Sequence, residues 1–175
     1  ALEAYRRLGG YGAEKGLKYL SFETTSTDRE SCATIAETRM VLDALRDMAI
    51  PMKLCLDVGH RNLGSRDPED ADHLAWIRRF GRETATIHIQ QTDNTASCHW
   101  PFTQAYNLKG IIDASRVLET VLCHGAGEIL LALEVGAKAF YPHEFEYCDQ
   151  LKASVDHWRE VMGGRTWIVS ETAGR

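Results

Sequence analysis

Four short apolar runs alternate with stretches of helical periodicity along the chain, and this alternation constrains the fold more than any other feature. The runs cover residues 16–23, 52–57, 84–90 and 127–135. After each run, apolar residues recur at the i, i+3, i+4 and i+7 spacing of a helix that buries one face. An alternation of this kind predicts a sheet of parallel strands joined by right-handed helical crossovers, the α/β class.

Local signals predict where the helices begin and end. Thr27 followed by Glu30 has the pattern of a capping box, so the first crossover helix is expected to begin there and to end before Pro51. Asp67 followed by Pro68 has the pattern of an N-cap with proline in the first turn, and it predicts the start of the next helix. Together with a helical segment at the start of the chain, the expected helices cover about residues 1–10, 27–50, 67–80, 113–124 and 143–162.

The composition of the chain indicates which binding partners and which cellular compartment to expect. The chain of 175 residues has a formal net charge of −5, which offers no electrostatic footprint for nucleic acid or an anionic membrane. Its five cysteines are widely spaced and contain no Cys-x-x-Cys pair, which argues for a reducing compartment and against disulfides or a thiolate zinc site. No apolar run reaches the roughly 18 residues that a membrane span needs. We therefore expect a cytoplasmic protein without nucleic-acid or membrane partners.

Each of the four apolar runs has, at its end or within two residues of it, a residue that can bind a metal ion. These residues are Glu23, Asp57, His88 and Glu134. A single acid at a strand end is usually solvated or caps the next helix, but here the same position carries a ligand in four consecutive units. Carboxylate oxygens and imidazole nitrogens suit Mn²⁺, Mg²⁺, Co²⁺ or Zn²⁺, and the carboxyl ends of parallel strands meet at one edge. The pattern predicts a site for one divalent ion.

Polar residues in two loops extend this predicted site. His60 follows Asp57 by three residues and is expected to face the same cleft, although it could be a polar residue in solvent. Gln91 and Asp93 follow the third strand, and they either bind substrate hydroxyls or fix the loop. His99 and Trp100 lie in the apolar segment CHWPF, which is interpreted as a lid or substrate wall, with a solvated loop as the alternative.

The order of the motifs FE, LDVGH, IHI and LALEV on consecutive strands resembles the second half of the xylose-isomerase-like (β/α)8 barrels. That superfamily includes ketose 3-epimerases, hydroxypyruvate isomerases, inosose dehydratases and endonucleases of the endonuclease IV type. The resemblance runs from about residue 13 to about residue 160. It implies a TIM barrel of which this chain holds four βα units, the C-terminal half. Because a complete barrel needs about 250 residues, residues 1–175 are expected to form a single partial domain. This domain would be a fragment of a longer protein or, alternatively, a half-barrel that dimerises through its open strand edges.

The resemblance also implies roles for individual residues. Glu23, Asp57, His88 and Glu134 match the metal ligands of the ketose 3-epimerases. His60 matches the family histidine that helps to hold and polarise the substrate. The stretch QQTDN…HWPFT looks like members that act on small ketoses or ketose phosphates, tetrulose phosphates among them.

Two departures from the family pattern bear on the substrate. Many 3-epimerases carry an arginine six residues beyond the metal-binding histidine, but here Asn94 stands six residues beyond His88, which indicates a different substrate set. The endonuclease members use a further Asp-x-His pair after the third strand. This chain has Asp93 and His99 six residues apart instead, which argues against the nuclease reading.

The expected function is therefore that of a divalent-metal-dependent epimerase or isomerase that acts on a small ketose or ketose phosphate through an enediolate. Glu23 and Glu134 would transfer the protons, and His60 would hold the developing oxyanion. The alternatives are an endonuclease IV-like or inosose dehydratase-like member of the superfamily. A half-barrel that binds sugar or serves assembly without catalysis is the third alternative.

Overall fold

The computed structural model describes residues 1–27, 29–93, 95–136 and 144–163. Four strands alternate with helices in these ranges, which confirms the predicted α/β class. The strands are β1 (Leu20–Glu23), β2 (Met52–Asp57), β3 (Thr84–Ile89) and β4 (Leu130–Leu133). The α-helices are α1 (Leu2–Glu14), α2 (Ile35–Ala44), α3 (His73–Phe80), α4 (Gln104–Asn107), α5 (Ala114–His124) and α6 (Glu144–Val161). A 3₁₀ turn at Pro68–Ala71 precedes α3.

The strands form one parallel sheet in the order β1-β2-β3-β4, so each strand pairs with the next strand along the chain. Four consecutive units of a (β/α)8 barrel have this order and direction. In the register, Glu23 lies beside Cys55, and Asp57 lies beside His88. All four carboxyl ends therefore lie at the same edge of the sheet.

The apolar core lies between the sheet and the helices. β2 is buried along nearly all of its length, as is usual for strands of parallel sheets. Leu54, Phe80 and Ile87 are fully buried, and burial of each such side chain stabilises the fold by about 1.5–3 kcal/mol. The remaining large members of the core include Leu42, Leu45, Leu56, Leu74, Trp76, Ile77, Phe102, Val117, Leu118 and Trp158.

Helix α2 begins at Ile35 and not at Thr27, so the predicted capping box is wrong. Thr27 and Glu30 form a turn, in which the Glu30 N–H donates to the Thr27 carbonyl over 2.9 Å. Thr34 is the actual N-cap, and its hydroxyl accepts the N–H of Glu37 over 3.1 Å.

The reason for this shift is a contact from a distant part of the chain. The carboxylate of Asp70, which is only 3% exposed, accepts the N–H of Ile35 over 2.7 Å. A buried carboxylate at a helix N-terminus stabilises the free N–H groups and the helix dipole. Two segments of the sequence fit the capping pattern, and this tertiary hydrogen bond favours the second.

The predicted helix from Asp67 is divided into two pieces. Asp67 caps the 3₁₀ turn, and Asp72, in an extended conformation, then caps α3 by accepting the Leu74 N–H over 2.9 Å. Helix α3 buries the predicted apolar face and ends at Gly81 as expected. A Cβ atom at Gly81 would lie 2.6 Å from the His124 carbonyl oxygen, so only glycine allows α3 and α5 to approach this closely.

The outer strands and α1 also differ from their predicted lengths. β1 and β4 have four residues each, and α1 continues through Gly9 and Gly10 to Glu14. Gly9 lies within this helix and faces Met48, whose methyl group would lie 2.5 Å from an added Cβ. Among the described residues, no helix combines the length and the apolar character that crossing a membrane requires.

His73, the first residue of α3, is half-buried and does not lie on an open surface. Burial lowers its pKa to about 4, and Arg61, Arg116 and Arg78 lower it further, against the opposing effect of Asp72. The imidazole is therefore neutral in the folded chain at pH values where the unfolded chain binds a proton.

This difference predicts a pH dependence of stability. As the pH falls from the unfolded pKa of about 6.5 towards 4, the unfolded state gains a proton that the folded state does not, so stability is lost. Between pH 7.5 and 4.5 we expect the free energy of unfolding to fall by about 2 kcal/mol more in the wild type than in His73→Leu. Urea unfolding at both pH values measures this difference. The control His124→Leu, which removes an exposed histidine, should keep the pH dependence of the wild type. If it reduced that dependence as much as His73→Leu does, the assignment to burial would be contradicted.

Candidate metal centre and active site

The carboxyl edge of the sheet holds a cluster of four possible metal ligands, one from each strand end. Its members are Glu23, Asp57, His88 and Glu134, and one ligand atom of each lies within 4.8 Å of the others. His88 Nδ1 is 3.2 Å from Glu23 Oε1 and 2.7 Å from Glu134 Oε2. The backbone explains the convergence, because the Glu134 N–H continues the ladder beyond β4 by donating to the Ile89 carbonyl over 2.9 Å.

Asp57 is the most buried member of the cluster, at 5% exposure. Its Oδ1 accepts the N–H groups of Gly59 over 2.5 Å and His60 over 3.1 Å. Burial raises the pKa of Asp57 to about 6, against the opposing positive charge of His60. The contact with Glu134 also raises this pKa.

Glu134 shows the opposite shift. Partial burial raises its pKa, but the hydrogen bond with Asp57 and the charges of His88 and His99 outweigh burial, and the net direction is downward. Glu134 is thus the member of the pair that stays ionised.

The donor set fits a divalent cation. Glu134 Oε2 is buried, lies 2.7 Å from His88 Nδ1 and forms no hydrogen bond with any described residue, so this oxygen can accept a further ligand. The negative charge of the cluster also affects Cys55, two residues before Asp57 on β2. Burial raises the pKa of this thiol to about 12, and the negative charges of Glu23, Asp57 and Glu134 add to the rise. Three carboxylates and one imidazole are ligands that Mn²⁺, Mg²⁺, Co²⁺ and Zn²⁺ accept.

Two further histidines flank the cluster. His60 Nδ1 lies 3.2 Å from Glu23 Oε1 and 3.3 Å from the Thr24 carbonyl oxygen. His99 Nδ1 lies 3.2 Å from the Glu134 carbonyl oxygen and 3.8 Å from Glu134 Oε1. The rings of His60 and His99 meet edge to face, with centroids 5.7 Å apart. The structure therefore brings both predicted histidines to the four-ligand cluster.

Gln91 and Asp93 make their contacts within the loop after β3. The Gln91 side chain, 2% exposed, donates to the Ile112 carbonyl over 3.0 Å and accepts the Ile112 N–H over 2.9 Å. Asp93 Oδ1 accepts the Thr95 N–H over 2.9 Å. These contacts are those of the alternative in which both residues fix the loop.

Trp100 contributes to the loop in two ways. Its backbone forms a two-hydrogen-bond bridge with Gln91, at 2.8 and 2.9 Å. Its ring packs against Tyr106 at a centroid distance of 5.2 Å, and the Lys109 ammonium lies 4.4 Å above it. These contacts hold Trp100 in place within the loop after β3.

Gln90 is the residue of this region that sequence reasoning missed. Its side chain is fully buried and donates to both carboxylate oxygens of Asp57 over 3.0 Å. The signal was present, because Gln90 follows His88 by two residues and side chains two apart on a strand point to the same face.

Comparison with known proteins finds sequence similarity to a sugar epimerase. It is 34% identical over 160 residues to D-erythrulose 1-phosphate 3-epimerase of Brucella abortus, a match that covers 90% of this chain and 52% of that protein. No protein-family model matches the chain.

Two solved structures have a fold similar to that of this chain. A crystal structure from Rhodospirillum rubrum assigned as a xylose isomerase superposes with a TM-score of 0.77 at 24% identity, over 91% of this chain and 52% of that one. L-ribulose 3-epimerase superposes with a TM-score of 0.62 at 16% identity, over 93% and 51%. The chain spans about half the length of the relatives that it matches.

The geometry of the cluster predicts that divalent ions stabilise the folded chain. Mn²⁺ at about 100 times its dissociation constant should raise the free energy of unfolding by about 2.7 kcal/mol, because it binds only where the four ligands converge. Thermal unfolding with Mn²⁺ and with EDTA measures the effect. Asp57→Asn should reduce the stabilisation strongly, whereas the control Asp43→Asn, an exposed residue on α2, should retain it. Equal stabilisation of both variants would contradict the site.

Proposed function

The resemblance of this chain to half of a xylose-isomerase-like TIM barrel is confirmed in sequence and in fold, and from this premise we propose that it is a divalent-metal-dependent sugar epimerase. The observation that carries the proposal is the convergence of Glu23, Asp57, His88 and Glu134 within 4.8 Å. The proposed substrate is a small ketose phosphate of the tetrulose phosphate class. The 34% identity with a protein named for D-erythrulose 1-phosphate supports this choice.

The four residues would hold one divalent ion. When bound, such an ion polarises adjacent oxygens of a ketose and so acidifies the neighbouring C–H group. Asp57, the most buried ligand, would be the anchor, because backbone N–H groups and Gln90 already orient its carboxylate. His88 would contribute its Nδ1 atom, which faces both glutamates.

Glu23 and Glu134 would move the protons. They come from the two outer strands of the sheet and so would approach a bound ketose from two sides. Removal of the C3 proton by one carboxylate and return of a proton to the opposite face by the other inverts that carbon. Removal of a proton from C1 and its return to C2 would give ketose–aldose isomerisation instead. The lowered pKa of Glu134 supports a base that is ionised at neutral pH.

His60 and His99 would serve the oxygens of the substrate. His60, beside Glu23, would donate to the oxyanion that develops as the proton leaves. His99, beside Glu134, would line the opposite wall of the cleft. This second histidine offers a polar group in a chain that carries Asn94 where many 3-epimerases carry arginine.

The proposal predicts that Glu134→Gln nearly abolishes proton exchange. Loss of a positioned base lowers the rate by about 100-fold to 10,000-fold, while a neutral amide oxygen still contacts the ion. NMR detects incorporation of solvent deuterium at C3 of ketoses and ketose phosphates, with Mn²⁺ or with EDTA. The control is Glu119→Gln, an exposed residue on α5, which should exchange at the wild-type rate.

The outcomes of this experiment separate the alternatives. Metal-dependent exchange at C3 with inversion identifies an epimerase, and exchange at C1 with formation of an aldose identifies an isomerase. Undiminished exchange in Glu134→Gln contradicts the assigned base. Tight Mn²⁺ binding without exchange in any ketose points to a dehydratase, a nuclease or a non-catalytic sugar-binding chain.

A further inference from the structure

The side chain of Gln90 joins two parts of the candidate site that are separate in the sequence. It is 0% exposed, and each end of its amide group forms two contacts. One end meets Asp57, the residue that closes β2. The other end meets the turn at residues 97–99.

The nitrogen end holds the carboxylate of Asp57. Gln90 Nε2 lies 3.0 Å from both Oδ1 and Oδ2. The N–H groups of Gly59 and His60 also donate to Oδ1. Donors on two separate segments of the chain thus hold both oxygens of the carboxylate, which restricts its rotation about the Cβ–Cγ bond.

The oxygen end holds the turn that carries His99. Gln90 Oε1 accepts the His99 N–H over 2.6 Å and the Ser97 hydroxyl over 3.2 Å. His99 has a φ of 50°, in the left-handed region that residues other than glycine rarely adopt. Such a conformation persists where the surroundings impose it, and it occurs frequently at functional sites. The contact with Gln90 is one of the forces that impose it here.

The Gln90 amide packs closely against the backbone at Gly59. A Cβ atom at Gly59 would lie 2.3 Å from Gln90 Cδ and 2.6 Å from Oε1. Glycine at position 59 therefore allows the amide to reach both partners.

Gln91 provides an internal comparison. It is also buried and also forms hydrogen bonds at both ends, but its partners are Asn107, Ile112 and Thr92. None of these partners belongs to the four-ligand cluster. Both glutamines thus form hydrogen bonds from both ends of a buried amide, but only Gln90 contacts the four-ligand cluster.

We propose that Gln90 is a positioning residue, which fixes the Asp57 carboxylate and the His99 turn in one arrangement, so that metal affinity and the position of His99 depend on the same side chain. The metal part of this inference rests on the proposed function, in which Asp57 is a ligand. Residues that orient a metal ligand through hydrogen bonds contribute strongly to metal affinity, and their loss weakens binding by about 10-fold to 100-fold.

The first test compares Gln90→Met with Gln91→Met in the full 175-residue chain. Methionine keeps the length of the side chain and removes its hydrogen-bonding groups. Titration with Mn²⁺ alone, followed by calorimetry, should show a dissociation constant about 10-fold to 100-fold higher in Gln90→Met. The constant should change by less than about twofold in Gln91→Met. Equal effects of the two substitutions would overturn the proposal.

The second test uses hydrogen exchange without metal, followed by NMR. Gln90→Met should accelerate exchange by about tenfold or more at both the His99 amide and the Gly59–His60 amides, because opening of one end frees the other. Gln91→Met should instead accelerate exchange at Thr92 and Ile112, whose N–H groups it accepts. Gly59→Ala, which retains every hydrogen-bonding group but displaces Gln90, should reproduce the Gln90→Met pattern.

The two tests distinguish failure of this inference from failure of the proposed function. A wild-type chain that binds no Mn²⁺ would contradict the proposed metal site, while the exchange pattern would still decide whether Gln90 couples the two segments. Unchanged exchange at His99 in Gln90→Met and Gly59→Ala would overturn the coupling itself.

Discussion

The common direction of four strands is the constraint on which the rest of the structure depends. Parallel pairing in the order β1-β2-β3-β4 brings every carboxyl end to one edge, where a residue at the end of each strand contributes to one cluster. No element of the described chain would hold Glu23 near Glu134, which is 111 positions away, without that sheet. The helices pack against one face of the sheet and bury its apolar side chains. The free energy gained from this burial stabilises the sheet and, with it, the geometry of the site.

The cluster brings like charges together, and neighbouring groups offset the cost. Burial raises the pKa of Asp57 to about 6, while contact with Asp57 and the histidines lowers that of Glu134. Backbone N–H groups after β2 and the amide of Gln90 supply donors to the buried carboxylate. The same donors that stabilise the buried charge of Asp57 also orient its carboxylate. Stability and proposed function therefore depend on the same hydrogen bonds here.

The helix boundaries show where local patterns are sufficient and where they fail. β2 has the predicted bounds, because Pro51 precedes its largely apolar run and Asp57 ends it. The predicted start of α2 was wrong by several residues, because the segments that begin at Thr27 and at Thr34 both fit the capping pattern. The choice between them depends on Asp70, which lies 35 positions further along the chain. The environment of His73 is another property that depends on distant segments, since burial and the nearby Arg61 and Arg116 lower its pKa to about 4.

The sequence by itself determined the class of the fold and the four residues at the strand ends, because alternation of strand and helix and the position of a residue in its strand are local properties. The tertiary structure alone decided what the two adjacent glutamines do. Gln90 reaches Asp57 and His99, whereas Gln91 reaches Asn107 and Ile112. The side chains are chemically identical, so only their directions from the backbone and the register of β2 against β3 distinguish them. Pairing between strands sets that register, and no local pattern encodes it.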